Sequence, residues 1–289
     1  MKLKIGDITL NFKYHFHEYF QDHIQAYQIN GKTKTDYKMS VILSSEIPTM
    51  NHLDFEIIKN RSYYVSNQLH VATIYKDIDP SIITQQIIFD KVKKDVKIYL
   101  NPNEVKDLKM QEYVLSGIMF LEIALMEGYL PLHASAIAFD DDAILFSAPS
   151  QTGKSTHTKY WKSYFKERVE FINDDKPLLF YRDNICYVTG TPFSGKSTLN
   201  KNIVKPVKSI IFLSQGKSNK IESFSSTESL KYFLQNTWRP KEESLWDKTF
   251  QTIDQIMSDL PIYHFQATHD ISSVLAIYQT LYKEQKDEN

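Results

Sequence analysis

The chain has 289 residues, 42% of them hydrophobic, enough to bury a large core in one large or two medium domains. Its 34 basic and 35 acidic residues leave a formal net charge of −1, so it lacks the electrostatic pull that a nucleic-acid binder needs. The single cysteine, Cys186, excludes an internal disulfide and fits a reducing, cytoplasmic setting.

The first twelve residues alternate apolar and polar side chains and contain no signal-peptide apolar stretch. Short runs rich in β-branched and aromatic residues follow at 8–16, 38–43, 63–66, 69–75 and 96–100, separated by Asn, Asp, Gly and Pro. That pattern predicts a mostly antiparallel, β-rich domain over residues 1–108. A polar stretch at 102–109 marks the junction with a second domain, 109–289. Residues 114–139 are the most apolar part of the chain. Glu122 and Glu127 interrupt them and Gly128 and Pro131 break them. A buried helix over 111–127 is therefore expected rather than a membrane span. Beyond it the pattern runs helix, strand, loop, helix, strand, so the fold class is α/β, α+β over the whole chain.

The chemistry is concentrated between residues 132 and 198. Leu132-His133-Ala134-Ser135-Ala136-Ile137 begins one strand of a hairpin, and its histidine is a candidate to lie beside a phosphate. The apolar run 143–146 then leads into Ala148-Pro149-Ser150-Gln151-Thr152-Gly153-Lys154-Ser155, which matches the phosphate-loop pattern except that Ala148 replaces its first glycine. In such a loop successive backbone N–H groups converge on phosphate oxygens at a helix N-terminus. Ser150, Gln151, Thr152, Gly153, Lys154, Ser155 and Thr156 are thus expected to hold ATP. Lys154 would reach the β- and γ-phosphates, the Ser155 hydroxyl would bind Mg²⁺, and 155–166 would be the helix. About 20 residues after Lys154, the run Phe171-Ile172-Asn173 ends in Asp174-Asp175. A carboxylate at a strand end can hold Mg²⁺, and a second can take a proton from an attacking hydroxyl. Asp174 is assigned to the metal and Asp175 to the proton, and the reverse assignment fits the sequence almost equally well.

A second stretch, Gly190-Thr191-Pro192-Phe193-Ser194-Gly195-Lys196-Ser197-Thr198, matches the same pattern with both glycines present. Pro206 leaves room for less than two helical turns over 199–205, and a strand is expected at 209–213. This reads as a basic loop beside the phosphates or the acceptor, with Lys196 neutralising charge on the transferred group. Cys186 lies in an apolar run and is expected in the core.

Helices are expected at 226–238, starting near Thr227 and Glu228, at 242–260 and at 271–284, with a strand at 262–267. Arg239 lies just before Pro240, between two of these helices, where an exposed helix end is its ordinary role and a phosphate contact the alternative. His15 and His17 share one face of a strand candidate without a third ligand at metal-binding distance, and His264 and His269 are similarly isolated. His157 reads as a packing residue on the helix after the loop.

Together the segments at 132–137, 147–156 and 172–175 resemble the kinase domain of HPr kinase/phosphorylase and its relatives, over roughly residues 130–270. Phosphoenolpyruvate carboxykinase is a more distant cousin with a similar loop. The resemblance is nearest to the HPr-kinase-related serine kinases of peptide-modification systems. It implies a P-loop HPr-kinase-like domain beside the β-rich N-terminal one. It also implies ATP-Mg²⁺ on Lys154 and Ser155, Asp174 or Asp175 as metal ligand and base, and His133 at the phosphate. Thr156 stands where HPr kinases usually carry glutamate, and no Arg/Gly-rich substrate-loop signature follows the Asp pair. HPr itself and a phosphorylase activity are therefore not expected. Ring-forming relatives add a homo-oligomer as a candidate assembly.

The leading expectation is an ATP-dependent kinase acting on a serine of a small protein or peptide, with no nucleic acid or membrane as partner. The alternatives are a non-catalytic nucleotide-binding regulatory module and a small-molecule or carboxykinase-like enzyme.

Overall fold

The computed structural model describes residues 1–20, 24–31, 33–50, 53–195 and 197–283. It is a mixed α/β structure whose contacts divide into two compact units: Met1–Ile123 with Pro240–Ser244, and Ala124–Arg239 with Leu245–Asn289. The dividing point lies inside helix α1 (Leu108–Met126), which starts three residues before the expected helix. No helix among the described residues is long and apolar enough to cross a membrane, which says nothing of a β-barrel.

The first unit holds eight strands: β1 (Lys2–Ile5), β2 (Ile8–Lys13), β3 (Tyr37–Leu43), β4 (Glu56–Ile58), β5 (Arg61–Val65), β6 (Leu69–Lys76), β7 (Asp79–Asp90) and β8 (Asp95–Leu100). They form one sheet in the order β1-β2-β3-β8-β7-β6-β5-β4. The hairpins are antiparallel as expected, but β3 pairs parallel with both β2 and β8. The reason is connection length. The chain leaving β2 returns only at Tyr37, and a connection that long permits a parallel crossover. Strand β7 escaped the sequence reading because Pro80 and the polar run Thr84-Gln85-Gln86 break its apolar pattern. In the structure the Gln86 amide is buried and donates to Thr73 Oγ1 at 3.0 Å. Segment 240–244 belongs to this unit, and there the Glu242 carboxylate pairs with the nearly buried Lys91 ammonium.

The second unit holds β9 (Leu130–Pro131), β10 (Ala134–Phe139), β11 (Asp142–Ser147), helix α2 (Lys154–Phe165), β12 (Val169–Asn173), β13 (Leu178–Arg182), β14 (Ile185–Thr189), β15 (Val204–Gln215) and β16 (Lys220–Ser223). Helices α3 (Ser226–Asn236) and α4 (Glu243–Asp259), strand β17 (Ile262–Ala267) and helix α5 (Ser272–Tyr282) follow. The sheet order is β12-β10-β11-β15-β14-β13-β9, with β17 on β15 and β16 on β17. Strands β11, β15 and β17 pair in parallel. Strand β10 is antiparallel to both β11 and β12, so β12 runs in the same direction as those three.

Period-2 alternation explains why these strands read as continuous apolar runs. Ala143, Leu145, Ile210 and Phe212 face one core, shared with Phe233 of α3 and Ile253 and Ile256 of α4. Ile144, Phe146, Ile211 and Leu213 face another, shared with Trp161 of α2 and Val274, Ile277 and Leu281 of α5. Both faces are covered, so apolar side chains are needed at every position. Cys186 is buried in the first of these cores, and burial pushes its thiol up to about 12.

One sequence expectation needs correction here. Strand β15 begins at Val204, well before the expected 209, while residues 197–203 form no helix, in keeping with the place of Pro206. Pro206 lies inside the strand opposite Tyr187, because the fixed φ of proline suits an extended chain as well as it stops a helix. Helix α3 is capped one residue before its first turn by Ser225, which accepts from Glu228 N while the Glu228 side chain returns to Ser225 N. Thr227 and Glu228, expected near the start, both lie within this box and the first turn.

Candidate functional site

The C-terminal ends of β12, β11, β15 and β17 lie along one edge of the second unit, the edge where open α/β sheets carry their ligands. At β11 the chain leaves Ser147, turns through 148–153 and enters α2 at Lys154. Ala148 is fully buried in the core beneath the loop, which accounts for a methyl-bearing residue where the pattern has glycine. Gly153 caps α2 at φ 108°, a left-handed conformation that glycine adopts without strain. Gln151 also has positive φ, at 66°, and such strain in a non-glycine residue persists only where surroundings hold it. Thr152 Oγ1 donates to Pro149 O at 2.8 Å across the loop.

The first N–H groups of α2 face this turn without intrahelical partners, and the helix dipole adds positive potential there. The Lys154 side chain is buried and its ammonium donates to Ala148 O at 2.7 Å and Pro149 O at 3.3 Å. Burial pushes its pKa down to about 8, against the opposing pull of Asp175 and Asp174. Ser155 is half-buried, while Ser150, Gln151 and Thr156 are exposed on the loop and first turn.

Strand β12 delivers the two aspartates. Asn173 is fully buried, and its Oδ1 accepts from Asp175 N at 2.9 Å and Lys176 N at 2.8 Å. Its amide donates to Thr191 O at 3.0 Å, so the turn bearing the carboxylates is held from the side of the second glycine loop. The two carboxylates face different neighbours. Asp174 Oδ1 accepts from Ser135 Oγ at 2.5 Å, and Ser135 Oγ lies 3.1 Å from Thr158 Oγ1 in α2. Asp174 is thereby linked to the helix that carries Ser155. Asp175 Oδ1 lies 3.5 Å from His133 Nε2 and 3.2 Å from Lys176 Nζ. Its Oδ2 would be 3.1 Å from a Cβ at Gly195, whose φ is 66°. A side chain at 195 would require the Asp175 carboxylate to give by a few tenths of an ångström, and the positive φ there favours glycine as well.

His133 is held through its backbone, which donates to Asn236 O at 2.7 Å and accepts from Ser147 Oγ at 3.0 Å. Burial pushes its imidazole down to about 4, and the Lys176 and Lys154 ammonium groups push the same way. The nearby Asp175 carboxylate opposes them and is outweighed, so the ring is neutral near pH 7.

The structure therefore brings Lys154, His133, Asp174 and Asp175 into one electrostatic neighbourhood. Lys196 lies outside the described residues, as does Glu284 at the end of the last expected helix. Arg239 is exposed, and its Nε donates to Leu234 O at 3.4 Å, which is the ordinary helix-end role. His157 is a packing residue that accepts from Trp161 Nε1 at 3.2 Å and contacts Ser273 Oγ at 3.3 Å. His15 Nε2 contacts Val41 O and His17 Nδ1 contacts the Tyr14 hydroxyl. Sequence reasoning missed Ser135, Thr158 and Lys176 as site residues. Ser135 sits within a segment already singled out, but its partners are 23 and 39 residues away and no local pattern announces them.

No family model matches the sequence, and no curated protein matches it. Among solved structures, the chain is similar to the Hpr(Ser) kinase/phosphatase from Coxiella burnetii. The identity is 12% and the TM-score 0.33, over 55% of this chain and 99% of that one. The chemistry of the site is accordingly read from its own residues.

Proposed function

We propose that the protein is an ATP-dependent phosphotransferase whose acceptor is a serine hydroxyl of a small protein or peptide. The observation that carries this reading is the convergence of two elements. The turn 148–153 with Lys154 and the Asp174-Asp175 turn are tied to each other through Ser135 and Thr158. A phosphate cradle with a lysine beside two carboxylates is what phosphoryl transfer needs, since catalysis there is mostly positioning and charge stabilisation.

The residues present fit Mg²⁺. Among the described residues no cluster of three or more His, Cys, Asp or Glu could hold a metal. Mg²⁺ requires no such cluster, because it is usually held by one or two carboxylates together with substrate phosphates. Asp174 and the Ser155 hydroxyl would hold it, and when bound it would neutralise phosphate charge. The link from Asp174 through Ser135 to α2 supports this assignment over its reverse. Asp175, facing His133 and the 190–195 loop, then takes the proton of the acceptor hydroxyl as its oxygen bonds to the γ-phosphorus and ADP departs. Neutral His133 donates a hydrogen bond without adding a competing charge, and Lys154 stabilises the phosphoryl oxygens.

The test is transfer from γ-labelled ATP to a serine-containing peptide, with free serine as comparison. Wild type is expected to label the peptide. Lys154→Ala and Asp175→Asn are each expected to reduce labelling by about 100-fold or more. Tight ATP binding with no transfer to either acceptor would instead indicate a regulatory nucleotide-binding module, and labelling of free serine alone a small-molecule kinase.

A further inference from the structure

Strand β7 outruns its neighbour β8. Their pairing ends where Gln85 meets Leu100, so 79–84 projects past the end of β8 as part of the β6–β7 hairpin. Asn101 then turns the chain away, its N–H donating to Thr84 O at 2.9 Å and its side-chain amide to Ile83 O at 3.3 Å. The stretch 104–107 and the first turn of α1 face the projecting hairpin across a groove of about 540 Å³, a size typical of ligand-binding clefts. All of it belongs to the first unit.

Two properties of the groove point to a peptide. The first is the carboxamide of Gln85. Its Oε1 is buried without a hydrogen-bond partner, and such an orphaned acceptor is rare in a folded protein. The residue is only half-buried, and rotation about its last torsion is soft. A carboxamide offers an acceptor and donors side by side, the complement of the C=O and N–H of one residue in an extended chain. Gln111 supplies a second amide from the α1 wall. The second property is charge. Lys76 Nζ reaches across to Glu104, 3.0 Å from Oε1 and 2.8 Å from Oε2, so this pair cancels and ties the walls together. Exposed Asp77 and Asp107 are left against Lys106, which makes the groove net negative. Ile78, 88% exposed, and Ile74 add apolar surface to the hairpin wall.

We propose that this groove docks an extended, basic segment of the acceptor peptide, with the Gln85 amide on the backbone of one residue and a lysine or arginine drawn to Asp77 and Asp107. That the peptide is an acceptor rests on the phosphotransferase reading above; that the groove binds a peptide rests on the groove alone.

The test selects a displayed library of random serine-containing peptides on the full chain of wild type, Gln85→Ala and the double variant Asp77→Asn, Asp107→Asn. Asp107 Oδ1 caps α1 by accepting from Met110 N at 2.9 Å, and asparagine caps equally well, so the double variant removes charge and keeps the helix end. Recovered peptides are then assayed for binding and for label from γ-labelled ATP. Wild type is expected to enrich peptides rich in lysine and arginine. Gln85→Ala is expected to bind them about tenfold more weakly and to raise their KM by the same factor, with the KM for ATP unchanged. The double variant is expected to lose the preference for basic peptides. If no peptide is enriched, or if all three proteins bind the enriched peptides alike, the groove assignment is overturned, and the phosphotransferase reading still stands on labelling that Lys154→Ala abolishes. If the enriched peptides bind through Gln85 and none is labelled, the acceptor role falls with the phosphotransferase reading and the groove stands as a peptide-binding site.

Discussion

Burial has lowered the pKa of Lys154 to about 8 from the ordinary 10.5. Two opposite pH effects follow. Between about 8 and 10.5 the unfolded chain keeps this proton and the folded chain does not, so this group makes the fold more stable as pH rises through that window. Phosphate binding needs the protonated form, so kcat/KM for ATP is expected to fall above about pH 8 with a limiting slope of one proton. A pH profile of kcat/KM that stays flat to pH 9.5 would mean that Lys154 carries no charge role. The lysine and the aspartates were legible because they belong to short contiguous patterns. Ser135 and Lys176 were not, since a serine in a strand and a lysine before a proline gain meaning only from what the fold places opposite them.

At the level of elements, apolar periodicity located most helices and strands to within a few residues. The both-sided burial of β11 and β15 left unbroken runs such as 143–146 and 209–213 that could be read directly. Strand β7 was missed because the amide of its buried Gln86 donates to Thr73 in β6, a pairing that a single strand's sequence does not announce. The stretch after the second glycine loop was misjudged for a similar reason, as Pro206 is placed by its pairing with β14. Helix α3 is relevant to the site because the Asn236 carbonyl holds the His133 backbone. Its N-terminus depends on the exposed capping box of Ser225 and Glu228. Ser225→Ala is expected to cost about 1 kcal/mol in a denaturant melt, with Ser225→Gly costing only a few tenths. Equal losses in the two variants would show that the cap does not govern this helix.

Across the molecule, the β-rich unit and the unit bearing the site differ in what their sequences disclose. The second unit announces its layers, because strands covered on both faces must alternate with amphipathic helices. The first unit announces strands but not their order, since its parallel pairs depend on crossovers that composition does not encode. The central claim concerns the whole edge of the second sheet: the 148–153 turn and the Asp174-Asp175 turn are two halves of one Mg²⁺-nucleotide site. The most direct measurement is the ATP dissociation constant of the full chain, with and without Mg²⁺, for wild type, Lys154→Ala and Asp174→Asn. Wild type is expected to bind ATP more tightly with Mg²⁺ present. Lys154→Ala should lose binding by about 100-fold under both conditions, and Asp174→Asn should lose only the Mg²⁺-dependent gain. ATP affinity that is the same in all three proteins would contradict the account.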